Sequence, residues 1–555
     1  MNQKRWLIIG ILTCLLVSGI GYFWANGLMD SLFAYRSPLH SKPPAPGTPL
    51  GKPITHRVVI VLIDALRYDA SLNTNVMPFL NTMRTYSASS RMHSQPPSYS
   101  EPGYTTILTG AWPDINDGPA INIDYANIPT FTQDDIFSAA HRMGLRTAIS
   151  GYYWFEKLVP QAAVDTSFYT PGEDASADQE VMKAALPMLS GNYQLVLIHL
   201  DQVDYAGHYL GGPLDPRSHT AEKKVDDYLR QIVSAMDLNL DTLIILSDHG
   251  QIDRGGHGGS DTITLLEPFV MVGAGVHAGP LFPDMAQVDV APTVAVLLGT
   301  NIPASAQGQV LKSMLDLPSD EASSIQSAEI LQKRILFQSY TDAINDKPTH
   351  QFQSTDPFSY VLAIDNARAD RLARERVWRN FLAIVFAVLP AYFLVINAKK
   401  KILWLAGGSL IYLLVFNVRY AILDGFTYSL SSVKSQEWLL TYIAVTSGVA
   451  LLFGWLVSML RLKAFQASSG DAAKTSLGLV LFTIYILALP ILVSFAMNGV
   501  LVTWTLPNFV TSYIALISLI QWIIVAALGL LLTGVAALVA QLVPSSASSY
   551  RKSRR

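Results

Sequence analysis

Hydrophobic residues follow two different patterns along this chain. At the start, and again beyond about residue 376, they form long unbroken runs. Between these blocks they form short runs that alternate with segments of helical period. The run at 6–24 is long enough to cross a bilayer, and five more follow at roughly 378–397, 402–422, 437–459, 475–496 and 509–543. These predict six membrane spans. In the middle, 58–63, 147–150, 195–200, 243–246 and 268–272 read as buried strands. Segments 133–143, 181–189, 219–236 and 288–298 read as helices, the first with Thr132 as N-cap and Gly144 as its stop. Alternating strands and helices predict an α/β, doubly wound domain with a largely parallel sheet, beside an α-helical membrane domain.

The boundaries follow from these patterns. A signal-anchor helix is expected at 1–30, since no small-residue cleavage site follows it, and a Pro-rich, semi-extended linker at 31–56. The α/β domain takes 57–320, a polar helical connector 321–376, five membrane helices 377–543 and a basic tail 544–555. The charges at 368–376 read as a solvated helix face.

Composition sharpens this picture. Half of the 555 residues are hydrophobic and 15% are charged, with a net charge of -3 and no basic stripe, which excludes nucleic acid as a partner. The single cysteine, Cys14, excludes disulfides and cysteine-based metal sites, and reads as a packing or lipid-facing residue. Lys4 and Arg5, Lys399 to Lys401, Arg461, Lys463 and Lys474, and the tail from Arg551 place one set of loops in the cytoplasm. The alternate loops, 424–436 and 497–508, hold one lysine, Lys434, and no arginine. Both termini are therefore expected in the cytoplasm and the α/β domain outside it. Arg419 and Asp424 read as an interfacial pair or a lipid-phosphate contact.

The strand ends carry the chemistry. The first ends at Asp64, the next leads through Asp201 to Asp204 and His208, and a third ends at Asp248 and His249, followed by His257 among glycines. Ligands bind at the carboxyl ends of such strands. Asp204 and His208, four apart, share one side of a helical turn. Three Asp and three His suit two divalent ions with open positions for substrate, zinc foremost and manganese also fitting. The stretch 97–103 could offer a hydroxyl nucleophile at a helix N-terminus, where the dipole and free N–H groups favour phosphate, or be a capped loop. Tyr152, Tyr153 and Trp154 follow a strand and could line a pocket or belong to the core.

These residues carry a resemblance. Ile63-Asp64-Ala65-Leu66-Arg67, Pro97-Ser98-Tyr99-Ser100-Glu101-Pro102-Gly103, Asp204-Tyr205-Ala206-Gly207-His208, Ser247-Asp248-His249-Gly250 and Gly256-His257-Gly258-Gly259 resemble motifs of the alkaline phosphatase superfamily. Within its type I phosphodiesterase/nucleotide pyrophosphatase branch, the chain is most similar to the glycosylphosphatidylinositol (GPI) ethanolamine phosphate transferases. The resemblance covers about 57–312. It implies one ion on Asp204, His208 and His257 and another on Asp64, Asp248 and His249. It makes Ser100 the nucleophile, with Ser98 the neighbouring alternative. Gly103 stands where nucleotide pyrophosphatases often carry a phosphate-contacting Asn, and with Tyr153 it is a candidate substrate-binding position. A sulfatase is disfavoured, because no Cys is available and residue 104 is Tyr. The expected activity moves a phosphoethanolamine-like group through a phospho-serine, between a membrane lipid and a glycan or lipid acceptor. The alternatives are a hydrolase of soluble diesters and a non-catalytic membrane transport or assembly protein.

Overall fold

The computed structural model describes residues 3–279, 282–346 and 352–543, so the basic tail expected at 544–555 lies outside the described residues. The chain divides into two compact units: Leu32–Leu372 with Thr503–Leu506, and Met1–Ser31 with Ala373–Val502 and Pro507–Arg555.

The first unit is α/β. Its strands are β1 (Arg57–Ile63), β2 (Ala88–His93), β3 (Thr147–Tyr152), β4 (Thr166–Thr170), β5 (Leu195–Leu200), β6 (Asp241–Leu246), β7 (Leu266–Gly273) and β8 (Met285–Ala286). They form one sheet in the order β4-β3-β5-β1-β6-β7-β2-β8. From β4 to β6 all neighbours are parallel. β7 runs antiparallel to both β6 and β2, and β8 pairs parallel with β2. The sheet is thus largely parallel, as the alternation predicts, with reversed strands toward one edge. β2 escapes a reading by hydrophobic pattern because its sequence, ASSRMH, is mostly polar.

β1 lies in the middle of this sheet, and all seven of its residues are buried. Val58, Ile60 and Leu62 pack into the core on one face, and Val59, Val61 and Ile63 into the core on the other. A strand covered on both faces must be apolar throughout, which explains its unbroken run. Its register pairs Ile63 with Leu200 of β5 and Leu62 with Leu246 of β6. The polar residues that follow these three strands therefore emerge along one edge.

Three local expectations change. The helix expected at 133–143 is Ile136–Arg142, because the Asp135 carboxylate accepts the N–H groups of Phe137 and Ser138 and starts it there. Thr132 instead donates to Asp117. The first helix runs on to Phe33, and the Pro-rich segment beyond it has no helix or strand, yet it is packed: Leu39 is fully buried, and Arg36 and His40 both pair with Asp117. The charges near 368 are not simply solvated. Arg368 pairs with Asp114, and the Arg371 guanidinium lies 4.1 Å from the ring centre of Trp504.

Among the described residues, five helices are long and apolar enough to cross a membrane: Gln3–Phe33, Pro357–Leu423, Gln436–Arg461, Ser469–Asn498 and Phe509–Leu542. The protein is an integral membrane protein. Two of the apolar runs, 378–397 and 402–422, fall within Pro357–Leu423, on either side of a single 3-10 turn at Lys399–Lys401. Cys14 is fully buried and so is a packing residue. Arg419 lies 3.0 Å from Asp424, which also accepts the Tyr442 hydroxyl at 2.6 Å.

Candidate active site

Asp64, Asp204, His208, Asp248, His249 and His257 converge where β1, β5 and β6 end. Asp204 and His208 lie on the helix Gln202–Leu210 that follows β5. Their side chains are 3.3 Å apart, and His257 Nε2 is 3.4 Å from Asp204 Oδ1. Asp204, His208 and His257 thus form one group able to hold a cation. Asp64, Asp204 and His249 form a second, with Asp248 Oδ2 3.3 Å from His249 Nε2. Asp204 faces both groups, which a division into two separate triplets does not anticipate.

Two of the imidazoles are fixed by backbone carbonyls. His257 Nδ1 lies 3.0 Å from the Ser98 carbonyl, and His249 Nδ1 lies 3.1 Å from the Gly250 carbonyl. A carbonyl can only accept, so each Nδ1 carries the proton. His249 Nε2 then turns a lone pair toward Asp64 and Asp248, and His257 Nε2 turns one toward Asp204 and toward His208 Nε2, 3.0 Å away. The buried oxygens Asp64 Oδ1 and Asp248 Oδ2 have no hydrogen-bond donor among the described residues. The His249 lone pair facing these two donor-free oxygens is repulsive until a cation sits among them. The donor set, all nitrogen and oxygen, fits zinc or manganese.

The electrostatics agree. Burial and the nearby Asp64 push the Asp248 carboxyl well above its ordinary range, and Asp201 is raised for the same reasons. Burial and His249 depress His257. Asp204 lifts His208 to about 9, while against the cost of burial His208 and His257 hold Asp204 below the usual carboxylate range.

Ser100 opens the helix Ser100–Thr109, and its Oγ lies 3.2 Å from His249 Nε2. Ser98 is committed elsewhere: its hydroxyl lies 3.1 Å from the Gly259 carbonyl and 3.0 Å from Thr264 Oγ1, and it accepts the Gly258 N–H. The supply of free backbone donors is smaller than a helix start suggests. The Glu101 N–H goes to Asn122, Pro102 has none, and the Gly103 N–H goes to the Tyr99 carbonyl. The Glu101 carboxyl is buried and pushed up to about 9, so it adds no negative charge beside Ser100 at neutral pH.

Gly103 packs behind Asp248. A Cβ there would lie 2.8 Å from the Asp248 Cβ, so a side chain at 103 would displace that carboxylate. Gly258, at φ +99, meets the Tyr99 ring rather than a ligand, since a Cβ would lie 2.3 Å from it. Tyr153 is half-buried and stacks on Tyr125 at 4.3 Å. Tyr152, edge-on to Tyr153, approaches His199 at 6.4 Å between ring centres.

Two further residues act on Asp64. His199 Nε2 is 3.0 Å from Asp64 Oδ2, and the Tyr104 hydroxyl donates to the same oxygen. His199 Nδ1 accepts the Tyr152 N–H at 3.4 Å, so its proton is on Nε2 and points at Asp64. Asp64, His199 and Asp201 cluster closely enough to suggest a cation site, but this tautomer makes His199 a donor to the carboxylate. The sequence signals are a single polar residue inside the apolar strand β5, and a Tyr four residues after Ser100, on the same helix face.

The family model for type I phosphodiesterase/nucleotide pyrophosphatase matches residues 58–117 and 126–267. Human GPI ethanolamine phosphate transferase 2, catalytic subunit, is 28% identical over 300 residues, which cover 49% of this chain and 30% of that protein. Human GPI ethanolamine phosphate transferase 3, catalytic subunit, is 24% identical over 390 residues, covering 61% and 35%. The chain therefore spans about a third of the length of these relatives. Murine ectonucleotide pyrophosphatase/phosphodiesterase 5 aligns in structure at 14% identity with a TM-score of 0.38, covering 44% of this chain and 96% of that one. The matched residues include β1, the Ser100 helix and the ends of β5 and β6, so the α/β unit is similar to the type I phosphodiesterase/nucleotide pyrophosphatase family and, over a longer stretch, to the GPI ethanolamine phosphate transferases.

Proposed function

We propose that the α/β unit is a metal-dependent phosphotransferase that moves a phosphoethanolamine-like head group from a membrane lipid to a glycan or lipid acceptor, outside the cytoplasm. The observation that carries this reading is Ser100 Oγ at 3.2 Å from His249 Nε2, beside Asp64, Asp248 and Asp204. Asp204, His208 and His257 would hold one divalent ion, and Asp64, Asp248 and His249 the other, most simply zinc. When bound, such ions acidify the hydroxyl and neutralise phosphoryl oxygens.

The chain's own residues do the rest. Burial and the helix start hold Ser100 Oγ at the rim of the ligand cluster, poised for in-line attack on a phosphodiester. The Oγ–P bond forms as the leaving alcohol departs, giving a phospho-serine diester. An acceptor hydroxyl then attacks the same phosphorus and frees Ser100. The half-buried ring of Tyr153, stacked on Tyr125, supplies an aromatic wall suited to a cationic head group. The names of the relatives support phosphoethanolamine as that group, and the membrane unit supports a lipid donor. The lysine and arginine distribution supports cytoplasmic termini, six spans and an external catalytic unit.

The test is diacylglycerol release from labelled phosphatidylethanolamine by the purified full chain with added zinc, comparing wild type with Ser100→Ala. Release that needs Ser100 supports the reading. No release from metal-loaded protein, together with Ser100-dependent turnover of a soluble diester, replaces it with a hydrolase.

A further inference from the structure

The membrane unit contains a cavity of about 370 Å³ far along the chain from the ligand cluster. Lys399, Lys400, Lys401 and Lys474 line it, against one carboxylate, Asp471. Its other walls are apolar and include Leu405, Phe482 and the ring of Trp6. The helices Gln3–Phe33, Pro357–Ala398, Ile402–Asn417 and Ser469–Asn498 contribute these residues.

The four ammonium groups outnumber the one carboxylate among them, Asp471, which acts on Lys401 from beyond ion-pair distance. Among the described residues none of them makes an ion pair. Lys401 Nζ donates to Thr475 Oγ1 at 2.7 Å, and Lys474 Nζ lies 5.7 Å from the ring centre of Trp6. The Asp471 carboxylate is engaged by the Ser468 hydroxyl at 2.7 Å and by Gln3 Nε2 at 3.3 Å.

A second, independent observation points to an acceptor. Trp6 is 4% exposed, and its Nε1–H has no hydrogen-bond partner among the described residues. A buried indole N–H is a donor only, and burying it unpaired is costly. An anionic oxygen in the cavity that Trp6 lines would satisfy it. The helices also turn apolar side chains outward next to the cavity in sequence, with Val395, Ile396 and Leu403 all exposed. Those are surfaces for acyl chains, not for water.

We propose that this cavity binds the phosphate of an anionic phospholipid, held by the lysine ammonium groups and Trp6 Nε1–H, with the acyl chains along the outer helix faces. The lysines supply charge and the cavity supplies a place for the head group, as basic pockets between membrane helices do. The site is separate from the catalytic cluster and does not depend on the reading of that cluster.

The test uses the full chain in neutral detergent and follows thermal stabilisation and lipid retention in native mass spectrometry. The probes are dioleoyl phosphatidic acid, dioleoyl phosphatidylcholine and inorganic phosphate at matched concentration. Wild type is expected to retain phosphatidic acid in preference to phosphatidylcholine. Combined Lys400→Gln, Lys401→Gln and Lys474→Gln is expected to weaken that binding about a hundredfold, on the basis of roughly fivefold per lysine. Lys400→Gln alone, at an exposed side chain that leaves folding intact, is expected to cost about fivefold, and Lys463→Gln, at another basic loop, less than about twofold. Gly478→Leu gives a charge-neutral check, because a Cβ at 478 already lies 3.2 Å from Leu405 and 3.8 Å from Trp6 and a larger side chain fills the cavity. It is expected to abolish selective retention. Equal retention of the two lipids, or retention unchanged by Lys400→Gln, overturns the proposal. So does a stabilisation by inorganic phosphate equal to that by phosphatidic acid, since it removes the lipid.

Discussion

Ser100 Oγ lies 3.2 Å from His249 Nε2, and the other ring nitrogen of His249 is committed to the Gly250 carbonyl at 3.1 Å. The hydroxyl therefore faces a lone pair rather than an N–H, and the two residues, 149 positions apart, meet because the helix that Ser100 opens packs its Gly103 against Asp248, at the end of β6. Ser100→Ala is expected to lower turnover at least about a thousandfold while leaving metal content and folding intact. Steady-state rates and elemental analysis of the same preparation check this. Retained turnover would shift attention to another nucleophile, although Ser98 is already engaged with Gly259 and Thr264.

Tyr104 and His199 both donate to Asp64 Oδ2, and so fix the direction in which Oδ1 faces the cluster. Tyr104→Phe removes one donor yet keeps the ring stacked on Phe155, at 4.7 Å. Metal affinity is expected to fall roughly 10–100-fold without loss of the fold, as for other groups that orient a ligand. Competition with a chelator of known affinity measures it.

Removing metal should act on stability as well as on turnover. Asp64, Asp201, Asp204 and Asp248 crowd one edge, and burial with mutual repulsion already raises Asp201 and Asp248. Chelation is expected to abolish activity and to lower the melting temperature, and zinc is expected to restore both. At a hundred times its dissociation constant, a bound ion contributes about 2.7 kcal/mol. A melting temperature indifferent to chelator would mean that the cluster carries no ion.

Glu101 sets a pH dependence away from the metal ligands. Its folded pKa, pushed up to about 9 by burial, lies above its ordinary value of 4.5. The folded state then holds a proton that the unfolded state releases, so this contribution to stability is complete below about pH 4.5 and is lost as pH rises toward about 9. Glu101→Gln keeps an acceptor for the Ile123 N–H without the ionisable proton. The variant is expected to melt higher than wild type near pH 8 and close to it near pH 4.5, which paired melting curves would measure.

The chain's own pattern determined a good deal. β1, β5 and β6 are buried on both sides, and burial on both faces demands unbroken apolar runs, so the strands and the polar residues that end them stand out. That is why Asp64, Asp204 and Asp248 could be named as candidates from sequence. The six-residue β2 could not be read this way, since Ser89, Ser90 and Arg91 break any apolar period. The start of Ile136–Arg142 was equally hidden, because Thr132 and Asp135 are both good caps and only the fold decides which one meets Phe137 and Ser138.

What only the tertiary structure decided is how distant side chains share space. Asp204 faces both candidate groups, Tyr104 and His199 converge on one oxygen of Asp64, and Gly103 has no side chain because Asp248 fills the position. Each relation joins residues from different strands or helices, some of them more than a hundred positions apart in sequence. Local periodicity reports which face of an element is buried; strand order and register decide what lies against that face, and they are set by packing across the whole sheet.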